Sequence, residues 1–170
     1  MIRRKKSSTA GGIGVLLHAV DEAYENSAWH GTTLKGSLRG VTARPAAWRP
    51  APGRHNIREI AAHAAYWKFV VRRRLTGDTS ASFPLAGSNW FSLPRGSEKA
   101  WRAEREILDR EHGALRAVVA AFPPRRLRSR LPGFRDRKAL REIAGIALHD
   151  VYHAGQIQLV KALRKKSRAR

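Results

Sequence analysis

Cysteine is absent from this chain, methionine occurs once, and acidic residues are scarce. Without cysteine, disulfides, thiolate metal sites and a cysteine nucleophile are excluded, so any metal ion must be held by nitrogen and oxygen. The lack of disulfides fits a reducing, cytoplasmic setting. No apolar run approaches the roughly 20 residues that a membrane-spanning helix needs, so no membrane partner is expected. Strand-like alternation of apolar and polar residues is missing as well. The chain starts M-I-R-R-K-K, like the charged start of an export signal. The apolar stretch that follows, Ile13 to Val20, is broken by Gly14 and His18 and runs directly into Asp21 and Glu22. It reads as a basic arm entering a helix, not as a signal.

What is abundant is positive charge: 34 Lys and Arg against 13 Asp and Glu, a formal net charge of +21. Clusters lie at Arg3 to Lys6, Arg72 to Arg74, Arg125 to Arg130 and Arg164 to Arg170. Such a surface attracts anions in general, nucleic acid included. There is no aromatic–basic stacking platform and no DNA-reading motif, so only weak, non-specific nucleic-acid binding is expected.

Apolar spacing predicts four long helices. Leu17, Val20, Tyr24, Ser27, Gly31, Leu34, Leu38 and Val41 recur at steps of three and four, which predicts one helix from about Ile13 to Val41. A Pro-rich connection, Pro45 to Gly53, follows. Asn56 with Glu59 three residues on forms a capping box for a second helix, which ends near Leu75 at Gly77. The segment Thr76 to Gly96 is long for a loop in a compact domain, and Phe83, Trp90 and Phe91 suggest that it folds back onto apolar surface. Ser97 caps a third helix reaching about Phe122, where Pro123 and Pro124 stop it. The last helix runs from about Arg137 to Lys165 and is apolar around most of its circumference, which predicts a central position. The fold class expected is all-α, a four-helix bundle over 13–165, with a basic arm at 1–12 and a basic tail at 166–170.

Within the last helix, His149 and His153 stand four apart and so share a face, one turn apart. His63 lies in the second helix. If the two helices pack together, three neutral imidazoles converge and leave a position open, the plan of a catalytic metal site. Gln156 shares the face of the two histidines, Tyr152 borders it, and Trp67 follows His63 by one turn; these three are the candidate pocket residues. Glu59 and Asp150 are candidate catalytic acids or bases. Each is also a candidate acceptor for the outer nitrogen of a ligand histidine, although the capping box accounts for Glu59 on its own. Gly145 and Gly155 are costly in a helix and suggest a close approach by a neighbour. His112 falls on the buried stripe of the third helix, and His30 sits in W-H-G; both read as hydrogen-bonded core histidines. His18 and His55 carry no signal.

The stretches A-Y-E-N-S-A-W-H-G (Ala23 to Gly31), H-N-I-R-E-I-A-A-H-A-A-Y-W (His55 to Trp67) and H-D-V-Y-H-A-G-Q-I (His149 to Ile157) together resemble the DinB-like proteins, the DinB/YfiT superfamily. The last block is the most specific, and the similarity spans about Val15 to Leu163. The resemblance implies an up-down-down-up bundle, often dimeric, with a divalent metal, nickel or zinc, on a triad that maps to His63, His149 and His153. It also implies thiol-dependent chemistry: members with known activity include bacillithiol transferases and mycothiol-dependent isomerases, and related domains occur in sulfoxide synthases. The length of this chain leaves no room for the extra domain of the latter two. The expected function is therefore metal-dependent transfer of a low-molecular-weight thiol to an electrophile, a small-molecule substrate. The alternatives are metal-assisted hydrolysis at the same site and a non-enzymatic nucleic-acid binder.

Overall fold

The computed structural model describes residues 9–167, apart from 26, 95, 132, 134 and 135. Its helices are α1 (Thr9–Tyr24), α2 (Leu34–Ser37), α3 (Ala43–Ala46), α4 (Ile57–Thr76), α5 (Glu98–Ala120) and α6 (Ala139–Ser167), with a 3₁₀ turn at Pro124–Arg126. Among the described residues there is no strand, only two isolated bridges, so the chain is all-α. No helix there is long and apolar enough to cross a membrane. The four long helices close a ring of contacts: α1 packs on α5 and α6, and α4 packs on α5 and α6.

The capping signals act as their chemistry requires. Asn56 accepts from the Glu59 N–H and the Glu59 side chain reaches back to the Asn56 N–H, which closes the box that starts α4. Gly77 ends that helix in the left-handed conformation at φ 75°. Ser97 accepts from the Ala100 N–H and starts α5.

The single first helix expected over Ile13 to Val41 is not formed. α1 stops at Tyr24, and the chain turns through Ala28 to Gly31, where Gly31 sits at φ 110° and cannot continue a helix. Thr33 then caps the short α2 by accepting from the Gly36 N–H at 3.0 Å. Leu34, Leu38 and Val41 are buried as the spacing predicts, because α2 lies across α6; Ser27, Gly31, Trp29 and His30 face solvent. At the other end α1 begins at Thr9 and takes in the last four residues of the arm expected over 1–12. Of its three glycines, Gly12 is packed, since a Cβ there would lie 3.4 Å from Leu127. Residues 1–8 of that arm, and 168–170 of the tail, lie outside the described residues.

Two apolar clusters fill the interior. Tyr24, Leu34, Ile57, Trp101, Leu108 and Ile157 are in one; Val20, Val71, Leu115, Val119 and Ile143 are in the other. On three helices the changeover falls at a buried polar residue: Lys68 on α4, His112 on α5 and Asp150 on α6. A polar layer therefore crosses the middle of the core.

Helix α6 is not central in the sense expected. Leu148, Tyr152, Leu159 and Leu163 are exposed on its outer side. Gly145 and Gly155 also face outward, with nothing within 4 Å of the position a Cβ would take, so no neighbour explains them. The apolar circumference is a buried stripe plus a second, solvent-facing one.

Candidate metal centre

The packing of α4 on α6 brings His63, His149 and His153 together, their ligand atoms all within 4.8 Å of one another. His149 Nε2 is 3.1 Å from His63 Nε2 and 3.1 Å from His153 Nε2. Two nitrogens each about 2.1 Å from one ion lie about 2.9 to 3.4 Å apart in octahedral or tetrahedral arrangements. The two separations from His149 fit neighbouring ligands of a single first-row divalent ion, and the His63 and His153 ligand atoms lie within 4.8 Å of each other.

The tautomers fit as well. His63 Nδ1 donates to the backbone carbonyl of Asn89 at 2.9 Å, and His153 Nδ1 donates to Gln156 Oε1 at 2.7 Å. With the proton held on Nδ1, each Nε2 presents a lone pair to the cluster. His149 Nδ1 is buried with no partner. Burial pushes His149 down to about 3, helped by the two neighbouring imidazoles and Lys68, and pushes His153 down to about 4 against the opposing Gln156 hydrogen bond. His63 is lowered by burial too, partly offset by its bond to Asn89. All three are neutral near pH 7, the form a metal ion requires.

The loop between α4 and α5 forms one wall. Asn89 adopts φ 60°, a left-handed conformation that asparagine tolerates better than most residues. That turn aims its carbonyl at His63 and its side-chain oxygen at Trp67, whose indole N–H donates to it at 3.0 Å. Trp90 stacks on His63 with centroids 3.8 Å apart. Phe91 is buried, and Phe83 packs against Tyr66 and Phe69, which anchors the loop.

The candidate pocket residues surround the triad: Trp67 borders His63 and His149 edge-on, and Gln156 links His153 to the exposed Tyr152 by donating to its hydroxyl at 2.9 Å. Glu59 and Asp150 are placed elsewhere. Glu59 is bound by Arg49 through both oxygens and lies 3.2 Å from His55, not beside His63. Asp150 is paired with Lys68 in the core, its other oxygen without a partner. The acceptor roles considered for these carboxylates are filled by Asn89 and Gln156. His112 is buried as expected but hydrogen-bonded to nothing; it stacks on Tyr24 at 3.8 Å.

Sequence reasoning missed Asn89 and His55, and it placed Trp90 on apolar surface without bringing it to His63. A backbone carbonyl leaves no mark in a sequence, so Asn89 was beyond reach. The aromatic pair Trp90-Phe91 in an overlong loop was the available signal for the other wall.

A family model described as the DinB superfamily matches residues 28–157, a span that includes all three histidines. Comparisons with curated proteins and with solved structures gave no match.

Proposed function

The chain belongs to the DinB superfamily, and from that footing we propose that it is a divalent-metal-dependent enzyme that transfers a low-molecular-weight thiol to an electrophile, on the up-down-down-up bundle of that superfamily. The observation that carries the reading is the convergence of three imidazoles, with His149 Nε2 3.1 Å from Nε2 of both His63 and His153. His63, His149 and His153 would hold the ion. Nickel and zinc both suit an all-imidazole donor set. Such an ion supplies a Lewis-acid position that stabilises a thiolate near neutral pH.

The chain's own residues do the rest. The Asn89 carbonyl and Gln156 orient two imidazoles and keep their protons on Nδ1. Trp67 and Trp90 cover the site with apolar surface and limit water. His149 is only partly buried and leaves the cluster reachable from solvent. The exposed Leu148 and Tyr152 on α6 form the face proposed for a homodimer contact. Sedimentation at the monomer mass across micromolar concentrations would remove that part.

The test is a panel of small thiols against a reactive electrophile, with zinc- and nickel-loaded protein. Metal-dependent turnover that is lost in His149→Ala supports the reading. Equal turnover by the metal-free protein refutes it.

A further inference from the structure

His55 stands outside the triad, in the turn before α4. Its Nδ1 lies 3.2 Å from Glu59 Oε2. That carboxylate also receives both guanidinium nitrogens of Arg49, one at 2.9 Å, and the Asn56 backbone N–H at 3.3 Å. A carboxylate so surrounded by donors is an acceptor, so His55 donates through Nδ1 and presents Nε2 as a lone pair. Nε2 has no partner among the described residues, and the side chain is 42% exposed. The ring is parallel to Trp90 at 3.6 Å, and Trp90 is parallel to His63 at 3.8 Å, so the indole is sandwiched between the two imidazoles.

His55 lines a pocket of about 580 Å³ with Arg54, Ile60, Gln156, Leu159 and Leu163. Gln156 is the residue that holds His153, so pocket and triad share a wall. The charged groups near the imidazole are Arg49 and Arg54 from the preceding segment and Glu59 from α4; the pocket wall from α6 brings Gln156, Leu159, Val160 and Leu163 and no charge. His63 on α4 and His153 on α6 also lie close enough to feel the charge of His55.

We infer that His55, oriented by Glu59, is the proton-transfer residue for a small apolar substrate bound in this pocket. The inference rests on the thiol-transfer reading. A carboxylate that fixes an imidazole tautomer with the outer nitrogen free makes a general base. The thiol's S–H proton passes to His55 Nε2 while the sulfur electron pair forms the bond to carbon. The leaving group departs with the electron pair of its broken bond to carbon. His55 returns the proton to that group or to water and ends neutral, with nothing oxidised or reduced. Glu59 is a positioning residue that acts through His55.

The test uses p-nitrophenol, a small apolar acid whose ionisation is visible by absorbance, with the zinc-loaded full chain. Bound in the pocket of the wild type, it should give its proton to His55 and ionise about one pH unit lower than in His55→Phe, since a nearby opposite charge favours the anion. His55→Phe keeps the ring against Trp90 and touches no triad residue, so its zinc content should equal that of the wild type. Glu59→Gln should lose most of that difference in p-nitrophenol ionisation, because the imidazole is no longer held with Nε2 free. Equal ionisation in wild type and His55→Phe, or no binding of p-nitrophenol to the wild type, overturns the inference. A wild type that holds no zinc instead sinks the thiol-transfer reading, and the p-nitrophenol comparison still decides the role of His55.

Discussion

Lys68 and Asp150 sit in the middle of the core at 0% and 1% exposure, paired with each other. Burial pushes the Asp150 carboxyl up to about 6 and the Lys68 ammonium down, while their mutual attraction opposes both shifts. Breaking such a pair from one side leaves an uncompensated charge, whereas replacing both partners removes the problem. Asp150→Asn is therefore expected to cost about 3–5 kcal/mol in denaturant unfolding, and Lys68→Met with Asp150→Leu to recover most of it; equal losses in the single and double variants would contradict this. Asp150 is thus expected to act on the fold more than on a bound metal. Gln156 is the reverse case. Gln156→Leu removes the acceptor of His153 Nδ1 and should weaken metal affinity about 10–100-fold with little change in unfolding, read by competition with a chelator. His112, buried with neither nitrogen bonded, is pushed down to about 3 by burial and by nearby Lys68, Arg116 and Lys35. Its folded pKa lies below the unfolded value near 6.5, so the unfolded chain binds the extra proton. Stability is full above pH 6.5 and is lost as pH falls toward 3, at about 1.4 kcal/mol per pH unit from this one group. His112→Leu should flatten the acid limb of a pH–stability curve by about that slope; an unchanged limb would show that His112 takes no part.

Among the elements, α4 shows how local chemistry places the site. Its capping box sets where the helix starts, and that start puts His63 two turns in, facing α6. Asn56→Ala should cost about 1 kcal/mol, measurable by chemical denaturation. Helices α4 and α5 were legible to within a few residues because Asn, Ser and Gly act on their own neighbours. The triad was legible for a similar reason: a spacing of four on a helix puts His149 and His153 on one face whatever surrounds it. The break after Tyr24 was not legible, since the steps of three and four run on through short turns that bury the same leucines. The central position expected for α6 failed because periodicity reports apolar faces without saying which are covered. The loop of Asn89 and Trp90 depends on long-range docking that no local pattern encodes, whereas the His55–Glu59 pair, four residues apart, was open to a local reading and was passed over. Replacing Asn89 by Ala removes the Trp67 hydrogen bond and strains the left-handed turn. The loop should then become more open to proteolysis between α4 and α5, with α-helical circular dichroism unchanged.

For the whole molecule, the net charge of +21 predicts DNA binding that is weak and falls steeply between about 50 and 200 mM salt, as counterion release requires. Tight sequence-selective binding at physiological salt would assign the surface a role that the present account does not give it. The central claim is narrower: α4 and α6 join to make one metal site from three histidines. The most direct test is elemental analysis of the protein after metal loading and dialysis, for the wild type and for His63→Ala, His149→Ala and His153→Ala. The account predicts one divalent ion per wild-type chain and loss of most of it in each variant, with the wild type's thermal midpoint falling when the ion is stripped, because the ion binds only the folded chain. Equal metal in all four proteins, or none in any of them, would contradict it.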